Sequence, residues 1–181
     1  TQSGEPLGEV DRIDWMEDTL EAIAIGQRLG EKLILVGTSH GGLLASWAAT
    51  LKSNIPIEAL VLVSPNFGPK DKRTKLIALP WAKQILPLTF GKHRKWEAQN
   101  SGHEYYWNTR YPSHALFPMM AQVNYITPRA PKEIKCPTLI FYSAQDTTVK
   151  HTNIEQAIEA IPSKNKRVIP IENSIDRNHH I

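Results

Sequence analysis

The run Leu33-Ile34-Leu35-Val36-Gly37-Thr38-Ser39-His40-Gly41-Gly42 constrains this chain more than any other stretch. Leu33 to Val36 read as a buried strand, and beyond the motif Leu43, Leu44, Trp47, Ala48 and Leu51 recur on one helix face. Strand and helix are joined through Gly-x-Ser-x-Gly, the sequence form of a nucleophile elbow. That turn is so tight that neighbouring side chains collide, which predicts a steric need for glycine at Gly37 and Gly41, and it lifts Ser39 clear of the backbone. The helix opening at His40 aims unpaired N–H groups and its positive dipole end toward the serine, where an oxyanion forms during acyl transfer. The plain alternative is a strand-turn-helix with Ser39 as a small turn residue. With 10 Gly and 10 Ser in 181 residues, the pattern arises by chance in roughly 3 chains in 100. The flanking strand and helix and the third glycine at Gly42 favour the elbow.

A serine hydroxyl is a weak nucleophile at neutral pH and needs a histidine to take its proton and a carboxylate to hold that histidine's tautomer. Cys136 to Ser143 reads as a second buried strand, and the polar loop Ala144 to Val149 places Asp146 at its carboxyl end. A helical segment Ile154 to Ile161, a strand Arg167 to Ile171 and a loop Glu172 to Asn178 lead to His179-His180. The order is Ser, Asp, His. A second acid, Asp176, lies four residues before His180, where it more naturally braces its own turn through an Asx-type hydrogen bond. Loop position favours Asp146. The residues alone leave His179 and His180 equal.

With these residues in place the chain resembles the α/β-hydrolase superfamily, whose elbow, acid and histidine follow in this order. Pro137-Thr138-Leu139-Ile140 leading to Asp146, Tyr111-Pro112, and Asp-x-x-x-His at Asp176 and His180 make it similar to the bacterial carboxylesterase and monoacylglycerol-lipase-like branch. The resemblance implies a mostly parallel sheet flanked by helices, Ser39, Asp146 and His180 as the triad, and the His40 N–H as one oxyanion donor. It also implies a second donor on an earlier loop, often marked by His-Gly. Upstream of Ser39 there is only the polar segment Thr1 to Val10 and one amphipathic helix, Asp14 to Leu29. Four strands are expected, near 32–37, 59–64, 138–143 and 166–171, where the family builds about eight. The elbow strand is then an open edge. The expectation is the carboxyl-side part of a longer α/β-hydrolase fold, with upstream strands absent.

Three stretches follow: core at 1–65, an insertion at 66–135 where the family carries its helical cap, and core again at 136–181, all within one hydrolase domain. Between Lys70 and Lys95 the insertion holds eight Lys or Arg against one acid, Asp71, interleaved with apolar residues. Pro80 and Pro87 are expected to break this part into short helices. A cap over Ser39 would wall the site with Trp81, Trp107, Met119 and Met120, joined by Trp96, Tyr105, Tyr106 and Phe117, and exclude water from a reacting carbonyl. Most such residues simply pack an insertion onto a core.

Composition narrows the partners. No apolar run approaches the ~18 residues of a membrane span. The basic stripe is read as a solvated face in preference to a membrane-docking one, and its aromatics accompany aliphatic residues instead of forming a nucleic-acid stacking platform. The single cysteine, Cys136, rules out an internal disulfide and fits a reducing compartment such as the cytoplasm. No metal-ligand spacing or phosphate loop occurs, so no metal or cofactor is expected. The resulting expectation is a serine hydrolase cleaving small carboxylic esters with an apolar acyl part, through an acyl-enzyme. Thioesterase or acyltransferase chemistry on the same triad is the enzymatic alternative, and a hydrolase fold used as a binding module is the non-catalytic one. Dehalogenase or epoxide hydrolase chemistry would call for an aspartate at Ser39.

Overall fold

A computed structural model describes residues 4–52, 56–79 and 81–180. Helix α1 (Arg12–Leu29) opens with a reciprocal cap. The Asp11 carboxylate accepts from the N–H groups of Ile13 and Asp14, and the Asp14 carboxylate accepts from the Asp11 N–H. The cap starts the helix two residues ahead of the expected Asp14. Strand β1 (Leu33–Thr38) leads through Ser39 into α2 (His40–Ala48), and β2 (Ile57–Val63) follows.

The stretch between β2 and the next strand of that sheet holds α3 (Ala82–Phe90), β3 (His93–Lys95), α4 (Ser101–Tyr106), β4 (Arg110–Pro112) and α5 (Leu116–Ile126). The chain then returns through β5 (Thr138–Tyr142), α6 (His151–Ala160) and β6 (Lys166–Pro170). Helix α3 runs across Pro87 without a break, a correction to the expected interruption; a proline there removes one backbone hydrogen bond, which this short helix tolerates. Pro80 lies outside the described residues. The antiparallel pair β3–β4 leaves no mark in the sequence, because three-residue strands are too short to show a two-residue period.

The main sheet has the order β1-β2-β5-β6, and all its pairings are parallel. One row of partners, Gly37–Leu62–Ile140–Val168, crosses all four strands. Leu60, Leu62 and Ile140 are fully buried, and they share a cluster with Leu43 of α2 and Leu116, Val123 and Ile126 of α5. The last part of the 66–135 stretch is thus packed into the same core as the sheet. Among the described residues β1 is an outer strand, and Ile34 and Val36 on it are 56% and 68% exposed. Helix α1 has no fully buried residue, and Leu20, Ile25 and Leu29 are exposed on it. No helix among the described residues is long and apolar enough to cross a membrane.

Parallel strands place all their carboxyl ends along one edge, and that edge carries the turn after β1 and the loops after β5 and β6. The basic stripe is partly internal in its bonding. Arg73 pairs with Asp71 at 2.7 Å, and the guanidinium groups of Arg73 and Arg94 stack on the Phe90 ring at 4.7 and 5.2 Å. The Arg73 guanidinium, outweighing partial burial, holds the Asp71 carboxyl below its usual range.

Candidate active site

Ser39 stands at the turn from β1 to α2 with φ 51° and ψ −117°, a left-handed conformation that costs a non-glycine residue about 1–3 kcal/mol. Main-chain bonds hold it there. Its N–H donates to the Val63 carbonyl (2.9 Å), and its own carbonyl accepts from the N–H groups of Gly42 (3.0 Å), Leu43 (3.3 Å) and Asn66 (2.8 Å). The helix supplies no carbonyl for the N–H groups of His40 and Gly41, which open its first turn beside Ser39.

The glycines at this turn differ in their roles. A Cβ on Gly37 would lie 2.4 Å from the Gly41 carbonyl oxygen and 2.7 Å from the Gly42 Cα, both backbone atoms. One on Gly42 would press on the Gly37 oxygen and on Pro65 at 3.0 Å. One on Gly41 would meet nothing within 4 Å among the described residues. The steric reason expected for Gly41 therefore belongs to Gly42, because the strand end packs against the helix on the Gly42 side and Gly41 faces open space.

His180 is brought to Ser39 from the loop after β6, 141 residues away, with Nε2 accepting from the Ser39 Oγ at 2.8 Å. Its Nδ1–H donates to Asp146 Oδ2, also at 2.8 Å. Asp146 is fully buried, and its other oxygen accepts from the N–H groups of Thr148 (2.7 Å) and Val149 (2.8 Å). Lys70 Nζ donates to the Asp146 carbonyl at 2.7 Å, which ties the start of the 66–135 stretch to the loop after β5.

Asp176 faces the main chain of the same turn. Its carboxylate accepts from the His180 N–H (2.7 Å), and its carbonyl accepts from the His179 N–H (2.9 Å). His179 takes a left-handed φ of 51° in this turn and makes none of the bonds between His180, Ser39 and Asp146. Partial burial would raise the Asp176 carboxyl, but the His180 N–H, the Gln99 amide and the Asn178 N–H outweigh it and hold the group below its usual 3.8.

The His40 ring lies edge-on to Trp15 at 5.1 Å, and its Nε2–H donates to Gln122 Oε1 at 2.6 Å. Gln122 in turn donates to the Arg12 carbonyl at 2.6 Å, while His40 Nδ1 is buried with no hydrogen-bond partner among the described residues. Burial, opposed by the Gln122 bond, depresses the His40 pKa below 6.5, so the ring is neutral near pH 7. Gln122, Lys70 and Gln99 carried no signal in the sequence, since each reaches its partner across more than seventy residues.

Met120 is buried and lines a cleft of about 510 Å³ together with Ile77, Phe117 and Ala121 of the 66–135 stretch and Val10, Asp11 and Arg12 at the start of α1. Met119 is partly buried against the core. Trp81 is 68% exposed and Trp107 46%, and neither lines that cleft.

A parallel sheet with a serine on a strand-to-helix elbow, met at its carboxyl edge by loops from two later strands, is an α/β-hydrolase fold. The chain belongs to the family described as serine aminopeptidase, S33, which matches residues 2–175. That match includes Ser39 and Asp146 and ends before His180. Among solved structures, the chain is similar to one of the metagenome-derived lipolytic enzymes LipS and LipT, at 20% identity and a TM-score of 0.73 over 92% of this chain and 66% of that one. It is similar also to a monoacylglycerol lipase from Paleococcus ferrophilus (18%, TM-score 0.66, 90% and 65%) and to an esterase from Exiguobacterium antarcticum (19%, 0.61, 90% and 65%). The chain spans 65–66% of the length of these three structures, and at such identities the likeness speaks for the fold. No curated protein matches the chain.

Proposed function

We propose that this chain is a serine hydrolase acting on carboxylic esters. The observation that carries the reading is the unbroken hydrogen-bond chain from the Ser39 Oγ through both ring nitrogens of His180 to the buried Asp146 carboxylate, at 2.8 Å for each link. In this reading His180 takes the Ser39 proton as Oγ attacks the ester carbonyl, and Asp146 stabilises the imidazolium. The alcohol leaves with that proton, and water activated by the same imidazole releases the acid from the acyl-enzyme. The His40 N–H serves the oxyanion. The ester preference draws on the lipolytic and esterase neighbours named above.

Residues 66–135 act as a cap in this reading, within a single hydrolase domain completed by 1–65 and 136–181. Met120 and Phe117 offer an apolar wall suited to an acyl chain, with Met119 beside them, and Trp81 and Trp107 are further substrate contacts outside that cleft. A reducing compartment such as the cytoplasm suits the lone thiol Cys136. The test is fluorophosphonate labelling followed by intact-mass spectrometry, with Ser39→Ala as control, then turnover of matched ester, thioester and amide substrates. A single adduct lost in Ser39→Ala together with ester turnover supports the reading. Absence of an adduct removes it, and preference for thioester or amide moves the substrate class.

A further inference from the structure

The loop that carries His180 has no regular structure of its own after β6, and two ties hold its far end sideways. One is the Thr147 N–H donating to the Asn178 carbonyl at 2.9 Å. The other is Gln99, a residue of the 66–135 stretch. Its side-chain Nε2 donates to Asp176 Oδ1 at 2.5 Å, and its Oε1 accepts from the Arg177 N–H at 3.0 Å. The primary amide thus occupies one acceptor and one donor of the turn at once, as a backbone peptide would. The other oxygen of the same Asp176 carboxylate receives the His180 N–H.

Gln99 is itself anchored. Its N–H donates to His103 Nδ1 at 3.3 Å, and the adjoining Asn100 side chain caps α4 by accepting from the His103 N–H at 2.8 Å. A continuous path of hydrogen bonds therefore runs from the first turn of α4 through Gln99 and Asp176 to the main chain of His180. We propose that Gln99 is a positioning residue that sets the orientation of the His180 imidazole, so that the base is in register with Ser39 only while the segment bearing α4 is docked. This rests on the reading of Ser39 and His180 as nucleophile and base. His179, held at a left-handed φ inside the turn, is the strain that such a clamp must maintain.

The test compares wild type, Gln99→Leu, Gln99→Glu, Asp176→Asn and the Gln99→Leu/Asp176→Asn double variant on p-nitrophenyl butyrate and on a fluorophosphonate. Activity is followed from about pH 5 to about pH 8, with thermal unfolding alongside. Gln99→Leu lowers kcat and the labelling rate about tenfold while KM stays within about twofold, the signature of a lost orientation and not of lost binding. The double variant is no worse than the more damaging single one, because both changes cut the same path.

Gln99→Glu keeps the shape and the acceptor but faces one carboxylate with another. Its activity relative to wild type is low at neutral pH and recovers as a shared proton restores the donor in acid. That recovery also carries the test if Gln99→Leu fails to fold. Wild-type kcat in Gln99→Leu, additive losses in the double variant, or a Gln99→Glu ratio flat with pH would overturn the positioning role while leaving the hydrolase reading intact. A wild-type protein that neither turns over ester nor takes the probe overturns the hydrolase reading and this role with it.

Discussion

Asp146 and His180 meet at 2.8 Å between carboxylate and ring, although one follows β5 and the other follows β6, and the aspartate is wholly removed from solvent. Every oxygen of that carboxylate is engaged, one by the imidazole and one by two main-chain N–H groups. A buried charge is tolerated only when so satisfied.

Asp146→Asn therefore keeps the shape and spoils the electronics. An amide N–H in place of Oδ2 would favour the imidazole tautomer whose proton sits on Nε2, where Ser39 needs an acceptor. The expected loss in kcat is about ten-thousand-fold. Asp176→Asn, which touches the main chain of the turn and not the ring, should cost about tenfold. Steady-state ester hydrolysis by both variants checks the contrast, and equal losses would mean that the two acids share the orienting role.

What could be read from the sequence was what chemistry writes locally. The elbow is legible because strand, glycines, serine and helix are contiguous from Leu33 to Leu51. The four main strands are legible as short apolar runs, Leu33 to Val36, Leu60 to Val63, Leu139 to Phe141 and Val168 to Ile169. What could not be read is what long-range contact decides. Gln122, Gln99 and Lys70 reach their partners across 82, 77 and 76 residues and leave no local pattern. The distinction between Gly41 and Gly42 was equally hidden, since it depends on where Pro65 packs.

That distinction is measurable. Gly37→Ala drives a methyl into backbone atoms that cannot swing aside, and it should destabilise the protein by about 3 kcal/mol or more in urea unfolding. Gly42→Ala presses on Pro65 and on the Gly37 oxygen at 3.0 Å and should cost about 1–2 kcal/mol. Gly41→Ala adds a methyl to open space in the first turn of α2 and should be neutral or stabilising by up to about 1 kcal/mol. A loss at Gly41 as large as that at Gly37 would refute the assignment.

Ser39 holds a strained backbone for the sake of its hydroxyl position. Replacing it with alanine removes the hydroxyl and leaves the strain; replacing it with glycine removes both. Ser39→Gly should be more stable than Ser39→Ala by about 1 kcal/mol. Both should be inert toward a fluorophosphonate, and chemical denaturation of the pair measures the difference with the hydrogen bond to His180 absent from each.

His40 gives the protein an acid-sensitive joint of predictable sign. In the unfolded chain its imidazole takes up a proton near 6.5; in the folded protein, burial beside Trp15 holds the pKa lower. Between those two values the unfolded state binds more protons, so stability rises with pH across the window. The contribution is complete above 6.5 and erodes as pH falls through the depressed folded value. Protonation would put a charge on Nδ1, which is buried with no partner among the described residues, while Nε2–H keeps its bond to Gln122. His40→Gln can still donate toward Gln122 but does not titrate, so its urea midpoint should decline less than that of wild type as pH is lowered from about 7 to about 5. Parallel midpoint curves for the two proteins would assign the acid loss to another group and leave His40 a neutral packing residue.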